Sequence, residues 1–219
     1  MKLSKKKISL IALAILLFAA VILSVILIAN CNGDKGSGKK DEQTTDGGSG
    51  GGGGDDDVTP GSNIFIESSD GGATYTVTGA VNDYITAVII PATYQGAPVT
   101  AIKSNAFYYC TQLASIVIPD SITRIGIGAF NDCSSLTKVT LPAGITQIED
   151  DTFNGCSALE SVVIPAGVDY IGDNAFKDCT RLTHILFRGT EDEWNAILKE
   201  STWNTGAGSY TVTYNYTGE

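Results

Sequence analysis

The chain has 219 residues and carries 24 acidic against 14 basic side chains and a single histidine, for a net charge of −10. Residues 62–219 hold seven Lys and Arg against 17 Asp and Glu, so the stretch able to fold is acidic. That balance argues against a nucleic-acid partner, because phosphate backbones attract basic surfaces and no Lys or Arg stripe with interleaved aromatics occurs.

Residues 8–29 form 22 consecutive uncharged and nearly all apolar residues behind Lys2, Lys5, Lys6 and Lys7. Runs of about 18 or more such residues read as membrane spans. Basic residues stay on the cytoplasmic side, so the remainder is expected outside. The string Leu27-Ile28-Ala29-Asn30-Cys31 resembles a bacterial lipoprotein signal, which makes Cys31 the lipidation candidate; Asn30 stands where that signal carries a small residue. The run also exceeds the ~7–15 apolar residues of a cleaved signal. Residues 1–30 are therefore expected to be a membrane anchor or a lipoprotein signal, and either one tethers the chain to the outer face of a membrane. Residues 31–61 are rich in Gly, Asp, Ser, Lys and Thr, with almost nothing to bury, and predict a flexible linker.

The folded domain is expected over 62–219. Within 62–84, residues 64–67 and 74–78 alternate in strand fashion around Asp70-Gly71-Gly72, the signal of a β-hairpin that caps the N-terminal end. From 85 to 188 the chain repeats itself. Cys110, Cys133, Cys156 and Cys179 are each 23 residues apart, with a phenylalanine three before each (Phe107, Phe130, Phe153, Phe176) and a leucine three after (Leu113, Leu136, Leu159, Leu182). Pro119, Pro142 and Pro165 align, as do Ile125, Ile148 and Ile171. A fixed period of ~20–29 residues with this apolar spacing marks a leucine-rich-repeat solenoid, β-rich with short helical turns. The run at 85–91 fits the strand motif with a five-residue insertion before Pro119, an irregular first repeat.

Strand side chains alternate, so Leu159, Val162 and Ile164 are expected inward, with Leu136, Val139 and Leu141, and Leu113, Ile116 and Ile118, in the two units before. The phenylalanines fill the coil. The cysteine column admits two readings. Rungs ~4.8 Å apart fall within disulfide range, yet one residue type at the same buried position of every unit is better explained as stacked thiols acting as small hydrophobes. Without a C-x-x-C pair or clustered histidines, zinc has no support. Residues 189–219 form the C-terminal cap: Thr190 and Glu193 make a capping box, Trp194, Ile197 and Leu198 share a helical face, and Tyr210, Val212, Tyr214 and Tyr216 alternate as a closing strand.

The motif A-F-x-x-C-x-x-L-x-x-h-x-h-P resembles the BspA-type leucine-rich repeats of bacterial surface proteins. That resemblance, spanning residues 73–217, implies an exported protein and a protein-binding or adhesive role toward host matrix or other cell-surface proteins. It implies no catalytic residue and no cofactor. The binding face is expected on two outward strand columns, Ile89, Val117, Thr140, Val163 and Leu186 in one, and Ser115, Lys138, Ser161 and His184 in the other, preceded by Ala87. Contiguous apolar residues on an exposed sheet mark interaction sites, although branched residues also favour any sheet surface. The alternative is a structural envelope protein with no dedicated ligand. An enzyme needs a nucleophile beside a base, and the single histidine sits at a position filled elsewhere by Ser or Lys. Glu149, Asp150 and Asp151 lack the spacing of a calcium loop and read as a solvated turn.

Overall fold

A computed structural model describes residues 57–58 and 63–218, all within the compact unit Gly53–Glu219. The expected anchor and signal, Cys31, and all of the linker except residues 57 and 58 lie outside the described residues. Among the latter no helix is long and apolar enough to cross a membrane.

The N-terminal cap is β1 (Asp57–Val58), β2 (Ile64–Glu67) and β3 (Tyr75–Ala80), paired antiparallel in that order. The expected hairpin forms, and its turn is held by Asp70, whose carboxylate accepts from the backbone and hydroxyl of Thr74 and from Ser68. These bonds, led by the Thr74 hydroxyl, lower its carboxyl to about 2. The coil then begins with β4 (Ala87–Ile89). The insertion after it is a second hairpin, β5 (Thr93–Tyr94) and β6 (Ala97–Ile102), whose two turn residues Gln95 and Gly96 both adopt positive φ.

Regular rungs follow: β7 (Ser115–Val117) with β8 (Arg124–Ile125), β9 (Lys138–Thr140) with β10 (Gln147–Ile148), and β11 (Ser161–Ile164) with β12 (Tyr170–Ile171). The last turns are β13 (His184–Phe187), helix α1 (Glu191–Ala196), β14 (Leu198–Lys199) and β15 (Thr211–Thr213). One parallel ladder runs β4-β7-β9-β11-β13-β15. On a second side β3, β6 and β8 pair in parallel, as do β10, β12 and β14. The described residues form a β-solenoid of about six turns with one short helix near the C-terminal end.

The core is a set of columns. Phe107, Phe130, Phe153 and Phe176 are fully buried and stacked nearly face on, centroids 5.3, 5.4 and 5.3 Å apart. Trp203 meets Phe176 edge-on and ends the stack. Cys110, Cys133, Cys156 and Cys179 are free and buried, and the thiols of the last three donate to the phenylalanine carbonyl of the preceding rung: Cys133 to Phe107, Cys156 to Phe130 and Cys179 to Phe153, at 3.1–3.2 Å. Each of these carbonyls already accepts the backbone N–H of the cysteine in its own unit, and the thiol of the next rung occupies its second lone pair. Burial pushes the Cys110 thiol up to about 11 and Cys179 to about 12, and it also raises Cys133 and Cys156 well above the usual thiol range.

At the cap, both halves of the Thr190–Glu193 box are made. Lys199 bonds the carbonyls of Trp194 and Ile197 and lies over the Trp194 ring, closing the helix C-terminus. Leu198 departs from expectation. The helix stops at Ala196, and Leu198 joins β14 opposite Tyr170 with its side chain in solvent.

Replacing Phe153 by Ala breaks the stack at its centre and is expected to cost about 3–5 kcal/mol, read as a lowered midpoint in thermal unfolding. The four repeat thiols should resist iodoacetamide at pH 8 in the folded chain, because their raised pKa values leave almost no thiolate. They should react once the chain is denatured, as mapped by peptide mass spectrometry.

Candidate functional site on the strand face

The outward columns assemble on one sheet as parity requires. Ser115 pairs with Ala87 and Lys138, Ser161 with Lys138 and His184, Ile89 with Val117, and Val163 with both Thr140 and Leu186. β15 extends both columns by one rung, bringing Thr211 beside His184 and Thr213 beside Leu186. Neither threonine belongs to the 23-residue pattern, and strand alternation around the inward-leaning Val212 is the signal that places them.

Exposure divides the apolar column. Ile89 is 56% and Val117 57% exposed, side by side in register. Leu186 is half-buried, and Val163 is only 2% exposed, contrary to expectation. Its parity is outward and it stands apart from the central apolar cluster. Val163 has a paired strand on each side, whereas Val117 is paired on the β4 side alone. The accessible apolar surface is therefore concentrated at the first two rungs, not spread along the ladder.

A second feature sharpens that location. Ile90 N donates to Val117 O and Leu141 N to Val163 O, both at 3.0 Å, but no equivalent bond joins Ile118 to Thr140 among the described residues. β7 and β9 share one register pair where β9 and β11 share three. The same level is open on the second side. Thr123 N bonds Thr100 O and Asp169 N bonds Thr146 O, yet Thr146 and Thr123 are not joined, and β8 does not pair with β10. The turn side stays closed at this level, through Gly128, Phe130 and Asp132 donating to Asp150, Thr152 and Asn154, and the start of the strand side is held by Thr137 N donating to Ala114 O. The coil thus has a seam between its second and third rungs. On the strand face the seam forms a recess of about 410 Å³ lined by Ser115, Ile116, Val117, Ile118, Lys138 and Thr140. Inside, a space too small for water lies between Ile125 and the side chains of Leu141, Ile145 and Phe153.

The chemistry offered is that of contact. The recess has an apolar floor, hydroxyls from Ser115 and Thr140, and one ammonium from Lys138. His184 is exposed, its Nδ1 2.8 Å from the Thr183 hydroxyl. Arg181 and Glu160 form an exposed ion pair at 2.6 Å. The acidic corner is committed to turns: Asp150 accepts from Asp173 N and Asp151 from Asn154 Nδ2. Among the described residues no group of three or more His, Cys, Asp or Glu is placed to hold a metal.

The family model for the BspA type leucine rich repeat region matches residues 98–205 as six copies. No curated protein matches the chain. A leucine-rich repeat protein from Bacteroides capillosus is 32% identical over 58% of this chain and 96% of its own, with a TM-score of 0.52. One from Bacteroides ovatus is 25% identical over 73% of this chain and 43% of its own, TM-score 0.55. A leucine rich cell surface protein from Faecalibacterium prausnitzii is 35% identical over 64% of this chain and 41% of its own, TM-score 0.49. This chain thus spans about two fifths of the length of the last two. Leucine-rich-repeat folds of this kind are typically non-catalytic, and leucine-rich-repeat proteins generally bind proteins. From its 23-residue repeat, its stacked Phe and Cys columns and the match to the family model, the chain belongs to the BspA-type leucine-rich-repeat family.

Proposed function

We propose that this chain is a membrane-tethered, outward-facing protein-binding and adhesion module whose strand face contacts a macromolecular ligand of the host matrix or of another cell surface. The observation that carries the reading is the exposed Ile89–Val117 pair beside the seam recess. Paired aliphatic side chains in water gain by burial against a partner, at ~25 cal/mol per Å², and the recess gives one protruding side chain a place to enter. The tether rests on the uncharged 22-residue run behind four lysines.

Six strands at ~4.8 Å spacing make a face only ~24 Å wide. It offers a few hundred Å², below the ~800 Å² per partner of a standard interface. One copy alone binds weakly. Many copies on one membrane raise the apparent affinity by avidity, and a tethered module is built for that format.

On beads coated densely with the full chain, matrix and plasma proteins are expected to be captured at least tenfold more strongly than by the same chain at sparse coating; equal capture at both densities would count against avidity. Val117→Asp is the matched variant for the face. Its side chain is exposed, so folding should be retained with a change within ~0.5 kcal/mol, while dense-bead capture is lost. Unchanged capture by the folded variant would remove the strand face from the mechanism, and absence of any capture would favour a structural envelope role.

A further inference from the structure

The repeat supplies its own control for one position. In successive units the residue before each cysteine is Tyr109, Asp132, Gly155 and Asp178, and the one before that is Tyr108, Asn131, Asn154 and Lys177. The backbone of the first set is left-handed throughout, with φ of 60°, 59°, 72° and 56°. Gly and Asp tolerate that conformation, whereas a bulky residue is strained in it. The fold therefore calls for Gly or Asp, and the first unit carries Tyr. Strain of this kind persists where something other than stability selects the residue.

The strained tyrosine is on display. Tyr109 is 57% and Tyr108 51% exposed, their rings 6.1 Å apart and tilted 39°. A Cβ on Gly155 would overlap Asp132 Oδ1, so the Asp132 carboxylate lies between its own rung and the next. The rung before Tyr109 is only the short segment 81–84, whose height is set by Thr86 O accepting from Ala114 N and Ser115 N. The segment contributes Tyr84, 75% exposed, and Asp83. Asp83 is near enough that its charge adds to the burial that raises the Cys110 thiol. Asp132 occupies the same position on the following rung.

We propose that Tyr84, Tyr108 and Tyr109 form a second binding site, separate from the strand face, that takes the Lys and Arg side chains of a basic protein segment. Tyrosine faces attract guanidinium and ammonium groups. Asp83 and Asp132, on the rungs to either side, supply the opposing charge. Residues 62–219 carry a balance of −10, which draws cationic partners from a distance and repels acidic ones. A neutral glycan could stack on the same rings, but the carboxylates and the overall charge favour the basic peptide.

The test is fluorescence anisotropy of a labelled decapeptide of alternating Gly and Arg, titrated with the full chain in a zwitterionic detergent. A citrulline peptide of equal length is the uncharged control. The double variant Tyr108→Asn/Tyr109→Asp installs the residues of the next repeat. It should fold at least as stably, with affinity for the arginine peptide reduced about tenfold and the citrulline peptide not bound. The new carboxylate makes this variant more acidic, so attraction by charge alone would be kept or increased. Tyr84→Ala, at an exposed residue, provides a second variant and should weaken binding severalfold, while Val117→Asp should not. Equal binding by the folded double variant, equal binding of the citrulline peptide, no binding by the unaltered chain, or displacement of the peptide by maltoheptaose would each overturn the proposal.

Discussion

Rung-to-rung hydrogen bonding is the constraint from which the rest of this molecule follows. Each turn of the coil satisfies its backbone only by meeting the next turn at a fixed height, so whatever occupies a corner in one unit must fit against its own counterpart in the next. Phenylalanine meets that demand by stacking nearly face on. Cysteine meets it with a thiol that is apolar enough for the interior and still able to donate to the carbonyl above it. Left-handed corners meet it by alternating a short carboxylate with glycine, as Asp132 does with Gly155 and Asp178 with Gly206. The side chain of one rung occupies the space that the next leaves empty.

Where this repetition governs, the sequence was readable. Columns at period 23 report burial directly, because a position facing the same interior in every turn is filled by the same residue type. The inward sets, the Phe stack, the N-terminal hairpin and the capping box at Thr190 could all be read from spacing and turn chemistry. What could not be read depends on relations between rungs. No single residue announces that β7 and β9 part after Ser115, or that Val163 is covered while Val117 is open; both are properties of two or more strands together. The β5–β6 hairpin was hidden for another reason. Its Gln95-Gly96 turn lacks the Asn-Gly or Asp-Gly signature, so a two-residue loop passed as a simple insertion. Leu198 fits a helical face by spacing, but α1 ends before it and β14 claims it for the sheet.

The candidate surfaces share an origin. The strand-face recess lies where the ladder fails to close, and the tyrosine corner lies where the first rung fails to supply a full turn beneath the second. A uniform solenoid offers a uniform face, and recognition needs features that break the repeat. Here the first two rungs carry both departures, so the N-terminal end of the coil is chemically the most distinctive. The C-terminal end is sealed by Trp194, Trp203 and the Lys199 cap.

The seam also sets how the domain would respond to load. Strands in a stacked coil lie across its long axis, so a pull along that axis opens ladder bonds one pair at a time instead of shearing many at once. The junction between the second and third rungs starts with ladder bonds already missing on two sides. Its remaining links are the turn-side bonds, the Phe130–Phe153 contact with the Cys156 thiol on Phe130 O, and the first pair of the β7–β9 ladder with Thr137 N on Ala114 O. A domain held by a membrane at one end and a captured ligand at the other would yield first at that level, parting as two blocks about a hinge on the turn side. It would lengthen under tension while each block kept its own stacked core.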